Sequence, residues 1–143
     1  MSRLETGKVY YFESQKIISE SPHYFICIAK TDENKLILLC CTSDRQDKNK
    51  RSIELKGWYE TLVWISPSDE NGFTKDTFVN CNTTFSYSVN EFEEMYQKGI
   101  LEYKGEISKS HLSQILIGIQ KSPLLEQEIK QTITLSLEKY LDE

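Results

Sequence analysis

Two apolar runs, residues 24–29 (YFICIA) and 36–41 (LILLCC), are separated by a polar link, 30–35 (KTDENK), whose Asp, Glu and Asn are turn chemistry. β-Branched, aromatic and sulfur side chains dominate both runs, which predicts a long β-hairpin. Neither run alternates between apolar and polar positions. Both faces of the hairpin are therefore expected to be covered, as inside a closed or doubly packed sheet. The second run ends in Thr42 and Ser43, two hydroxyls where the chain leaves the core.

Around this hairpin the pattern predicts a first strand at 7–12 and a polar loop at 13–22, with Ile17 and Ile18 against the mouth of the sheet. The charged segment 44–51 reads as an exposed loop. Residues 52–56 read as a short alternating strand with Ile53 and Leu55 on one face. After Gly57, residues 58–65 (WYETLVWI) are a strand or a buried loop, and 67–72 (PSDENG) is a turn ending in Asn-Gly. A strand follows at 77–87, with Thr77, Val79, Cys81 and Thr83 on one face and Phe78, Asn80, Asn82 and Thr84 on the other. A face with two asparagines has something polar to meet.

Ser88 and Glu91 form a capping box for a helix at 89–97, with Gly99 as its left-handed stop. Residues 100–104 return as a strand that Gly105 ends. Ser108 or Ser110 caps a helix at 109–121 whose Leu112, Ile115, Leu116 and Ile119 make one stripe. Ser122 and Pro123 open a last helix at 123–141, with Leu125, Ile129, Ile133 and Leu137 four apart. That helix is expected to pack on the sheet or on a second subunit. The sum is one domain, 1–143: an antiparallel, barrel-like sheet of roughly five to seven strands within 7–104, mainly β with C-terminal helices.

Composition changes this picture little. A chain of 143 residues is long enough to bury a core without metal or disulfide staples. No apolar run approaches the roughly 20 residues of a membrane span, so a cytoplasmic protein with no membrane partner is expected. Cys27, Cys40, Cys41 and Cys81 lie in strand-like segments with no C-x-x-C spacing. They read as buried free thiols, and no metal and no cofactor are expected. The formal charge of −5 weighs against a dedicated nucleic-acid binder. The balance is uneven, however: 44–51 holds Arg45, Lys48, Lys50 and Arg51 against Asp44 and Asp47, whereas the stretch from Ser88 onward holds ten acids against six bases.

The order of parts resembles the PemK/MazF-type toxins, growth-inhibiting bacterial endoribonucleases. Residues 7–10 (GKVY) look like their opening strand, 23–28 (HYFICI) like the strand after their first loop, and 38–43 (LLCCTS) like their strand ending in Thr-Ser. Residues 75–82 (KDTFVNCN) are similar to their late strand, and 103–108 (YKGEIS) with the following helix to their closing unit. The resemblance spans about residues 4–122 and rests on pattern and order more than on rare residues. It implies an SH3-like antiparallel barrel, a homodimer, a protein antitoxin as partner, and metal-independent cleavage of single-stranded RNA.

That chemistry requires a base for the ribose 2′-OH, a cation for the phosphorane and an acid for the leaving 5′-oxygen. Thr42 and Ser43 stand as the family has them. The family's basic residue entering the second strand falls on Ser21-Pro22-His23, and the Arg and Asp of its late strand fall on Asn80 and Asn82. His23 is therefore the candidate acid or base and Arg45 the candidate phosphate clamp, with Thr42 and Ser43 as hydroxyl contacts. Lys48, Lys50, Arg51, Asn80 and Asn82 are candidate RNA contacts. The plainer readings are a half-buried structural histidine, a solvated basic flank and asparagines that pair across the sheet. His111 reads as structural. Exposed tyrosines beside a positive loop would suit RNA stacking, but Tyr10, Tyr11 and Tyr24 are expected to pack in the core. The alternative to a nuclease is a non-catalytic barrel of the same fold that binds a protein, peptide or nucleic acid.

Overall fold

The hairpin is the centre of the sheet. In the computed structural model, which describes residues 4–16, 22–43 and 47–143, β2 (His23–Lys30) and β3 (Lys35–Thr42) pair antiparallel from Tyr24↔Cys41 to Lys30↔Leu36. Their turn is closed by the Thr31 N–H on the Lys35 carbonyl at 2.9 Å, with Asn34 at φ 61. Strands β1 (Lys8–Phe12), β4 (Leu62–Ile65), β5 (Thr77–Ser88) and β6 (Glu102–Glu106) complete one six-stranded antiparallel sheet in the order β4-β5-β3-β2-β1-β6. It curls into a half-barrel.

Both faces are covered, as the unbroken apolar runs required. On one face Ile26, Ile28 and Leu39 pack with Leu112 and Ile115 of α3 (Lys109–Lys121) and Ile133 of α4 (Gln127–Leu141). On the other, Phe12 stacks on Phe25 with ring centres 4.4 Å apart. Phe92 of α2 (Val89–Gln97) meets Phe12 and Tyr10 edge-on at 5.5 and 5.0 Å. The capping box of α2 forms with both hydrogen bonds, Glu91 N–H to Ser88 Oγ and Ser88 N–H to Glu91 Oε1, each 3.0 Å. Ser108, not Ser110, caps α3. Ile133 and Leu137 are fully buried, so α4 belongs to the core of this subunit.

Three expectations need correction, and a fourth, left open between strand and buried loop, is resolved. Residues 52–56 are not a strand, and 48–51 are not a loop: α1 runs Lys48–Leu55. Asp47 caps it by accepting the Lys50 N–H at 3.0 Å, Lys50 and Glu54 pair across one turn, and of the two apolar residues Ile53 is buried while Leu55 faces solvent. Residues 58–65 divide into a 3-10 turn, Tyr59–Thr61, followed by β4. Gly105 lies inside β6, at a register shift between Val9 and Tyr10 of its neighbour, rather than ending it. The last helix begins at Gln127, because the Ser122 hydroxyl accepts the Leu124 and Leu125 N–H groups in a turn. Ile17 and Ile18 lie outside the described residues.

Residues 66–76, between β4 and β5, return across the barrel to β6. Asn71, 5% exposed, holds this segment together: its Oδ1 accepts the Ser68 and Phe73 N–H groups and its Nδ2 donates to the Ser66 carbonyl. The Glu106 N–H donates to the Glu70 carbonyl at 2.8 Å, joining the segment to β6.

Candidate functional site

A cleft of about 670 Å³ opens where β2 begins and β3 ends, between the middle of β5 and α1. Its size falls within the roughly 300–1,000 Å³ of small-molecule sites. His23, Thr42, Ser43, Lys50 and Asn80 all line it, together with Asp47, Asn49, Lys75 and Thr83. These residues come from five separate parts of the chain, so the fold alone brings them together.

The His23 imidazole is half-buried on the cleft wall, and its Nδ1 is buried with no hydrogen-bond partner among the described residues. The imidazole therefore reaches the cleft by its other edge, with Nδ1 turned into the wall. Thr42 ends β3 opposite Phe78, and Ser43 is exposed beside it. Lys50 is the cation that the structure positions best. Ile53 anchors α1 against Leu62 and Phe78, which lays the Lys50 stem on the aromatic floor. Its Nζ sits 5.4 Å from the ring centre of Phe78 and 5.7 Å from that of Trp64, and bonds Glu54 Oε1 at 2.9 Å. With its side chain 10% exposed, it is a nearly desolvated, fixed ammonium. Lys75, from the segment that crosses to β6, supplies an exposed second cation.

The two asparagines part company. Between β3 and β5 the register jumps from Leu39↔Thr84 to Cys41↔Val79. The bulge breaks the alternation that would have put Asn80 and Asn82 on one face. Asn80 stays in the cleft, where its Oδ1 accepts the Asn82 N–H at 2.9 Å, leaving Nδ2 as the donor end for a ligand. Asn82 is buried instead: its Nδ2 donates to Thr61 Oγ1 at 2.8 Å and its Oδ1 accepts from Ser122 Oγ at 2.6 Å. It ties the 3-10 turn to the end of α3 and does not line the cleft. Lys48 and Arg51 are exposed on α1 but do not line the cleft. Arg45 lies outside the described residues. His111 sits on α3 with its Nδ1 3.0 Å from Ser108 Oγ, away from the cleft.

Asp47, Lys75 and Thr83 were missed by the sequence reading. Asp47 had a signal, since an Asp three residues before Lys50 can cap a helix; Lys75 and Thr83 had none.

Cys40 lines the cleft, and its surroundings disfavour the thiolate. Burial, and then the charge of Asp47, push its thiol up to about 12. Burial pushes Cys27 and Cys81 to about 12 as well, and raises Cys41. A shift of that size leaves roughly a thousandth of the usual thiolate at neutral pH. A small alkylating reagent is therefore expected to label none of the four thiols in the folded protein at the free-cysteine rate, and all four after denaturation. Fast labelling of the native protein would contradict this. Among the described residues no three His, Cys, Asp or Glu side chains cluster as a metal site, and no helix is long and apolar enough to cross a membrane.

No protein-family model matches this chain, and no curated protein sequence matches it. Solved structures do match. One is a mycobacterial endoribonuclease in complex with its cognate antitoxin, with a TM-score of 0.53 at 16% identity over 85% of this chain and 96% of that one. At that identity the likeness establishes the shared fold, a curled antiparallel sheet with C-terminal helices.

Proposed function

We propose that this chain is a toxin-type endoribonuclease that cleaves single-stranded RNA in the cleft without a metal ion. The observation that carries the reading is the convergence of His23, Thr42, Ser43, Lys50 and Asn80 on one cleft. The fold shared with the mycobacterial endoribonuclease supports it. That protein's complex with an antitoxin likewise supports a protein antitoxin as the partner here.

In this mechanism the RNA supplies its own nucleophile. The 2′-oxygen bonds to phosphorus as its proton passes to a base, and the P–O5′ bond breaks as the 5′-oxygen gains a proton. A 2′,3′-cyclic phosphate and a 5′-hydroxyl result. His23 carries one of the two proton transfers. Lys50 meets the charge that builds on the phosphorane oxygens, in a site dry enough to make a fixed charge count. Thr42, Ser43 and the Asn80 amide have the donors to hold those oxygens in place.

The test is a mixed single-stranded RNA pool incubated with the protein in chelator. Cleavage leaving cyclic-phosphate ends is expected, and His23→Gln, which cannot carry the proton, is expected to slow it about a hundredfold or more. Intact RNA at high protein concentration would overturn the reading. One observation favours a non-catalytic binding module instead: Glu54 already neutralises Lys50. That module would bind the RNA and leave it whole.

A further inference from the structure

We infer that Tyr11 and Tyr24 form a shelf at the rim of the cleft on which one unpaired base of the RNA stacks. The inference rests on the reading of the cleft as a single-stranded RNA site and names how that site holds a base. Tyr10, their neighbour in sequence, is fully buried among Phe92 and Tyr103 and belongs to the core. Tyr11 and Tyr24 differ from it: both are only half-buried and both line the cleft. The register of β1 and β2 places them directly opposite each other, with ring centres 4.7 Å apart at 52°.

The pair is held rigid from behind. Phe73 meets the Tyr24 ring edge-on at 5.1 Å. Lys104, itself anchored to Glu102 at 2.8 Å, sits 5.7 Å from the centre of the Tyr11 ring. Lys75 lines the same cleft. A preformed aromatic surface flanked by two ammonium groups suits a nucleotide, because the ring takes the base and a cation takes its phosphate. It gives little to a duplex, whose bases are already stacked on one another. The shelf therefore selects unpaired RNA with one base turned out, and tolerates any base because every base has a π-face.

The experiment measures binding of a 2′-deoxy oligonucleotide, which lacks the nucleophile and so separates the shelf from the chemistry. An abasic site is moved along the strand one position at a time. For the wild-type protein one position is expected to weaken binding roughly tenfold. Tyr24→Leu is expected to weaken the intact strand by a similar factor and to become indifferent to that position, whereas Tyr24→Phe keeps both properties. Tyr11→Leu provides a second variant, and melting temperatures check that each variant is folded. A flat abasic scan with the wild-type protein overturns the shelf, as does an unchanged scan in a folded Tyr24→Leu protein. If RNA is still cleaved in those cases, the nuclease stands without the shelf. If the scan shows the sensitive position but RNA stays intact, the shelf stands and the nuclease falls.

Discussion

Lys50→Met is expected to slow RNA cleavage about a hundredfold while leaving the protein folded. The methionine keeps the apolar stem that lies on Phe78 and Trp64 and removes only the charge. Glu54, the partner left behind, is 39% exposed, so water can solvate its carboxylate at small cost. Stability should therefore change little. The rate is another matter, because the phosphorane oxygens carry more charge than the ground-state phosphate, so the ammonium stabilises the transition state beyond the bound RNA. Losing one such contact costs about 3 kcal/mol, a hundredfold in rate. Glu54→Gln separates the two roles of the pair: it leaves the charge in place and frees it from its carboxylate, so it should lower the rate far less than Lys50→Met. Steady-state cleavage assays beside thermal melts decide the matter. A folded Lys50→Met protein within about threefold of the wild-type rate would remove Lys50 from the site and leave Arg45 or Lys75 as the cation.

Local rules carried most of the fold. The capping box at Ser88 and Glu91 and the stripe from Leu112 to Ile119 predict α2 and α3 with the bounds observed. The unbroken hydrophobicity of the hairpin predicts a sheet covered on both sides, and that is found. Failures came where tertiary contacts outrank pattern. Ile53 and Leu55 alternate like strand residues, yet Asp47, Glu54 and the packing of Ile53 on Phe78 make a helix. The site was legible in its parts and not in its assembly. His23, Thr42, Ser43, Lys50 and Asn80 carry suitable chemistry in the sequence, but only the three-dimensional bulge in β5 separates Asn80 from Asn82. No periodicity announces a bulge. Tyr11 and Tyr24 are likewise indistinguishable from Tyr10 in the sequence, since all three sit in apolar strands. Only the register at the strand ends shows which rings reach the cleft.

Gly105→Ala is expected to lower the melting temperature by roughly 10 °C and to weaken oligonucleotide binding with it. A Cβ at Gly105 would fall 2.1 Å from the Glu70 carbonyl oxygen and 3.0 Å from the Asn71 carbonyl carbon. Both are backbone atoms of the segment that crosses from β4 to β6, and no rotamer change moves them aside. The Asn71 side chain, with its three hydrogen bonds, holds that segment stiff. Relief must come from lifting the segment off β6, which breaks the Glu106 N–H bond to Glu70 at 2.8 Å. Overpacking against fixed backbone costs about 3 kcal/mol, and in a domain of this size that is roughly 10 °C. Thr74 and Lys75 sit on the same segment and line the cleft, so the displacement carries into the site. Gly57 is the control. At φ +75 it is also left-handed, but a Cβ there meets nothing within 4 Å, so Gly57→Ala adds backbone strain alone, about 1 kcal/mol and a few degrees. Thermal melts of the two variants side by side test the difference. If Gly105→Ala melts no lower than Gly57→Ala, the crossing segment is not held against β6 as described, and Lys75 loses the anchor that places it in the cleft.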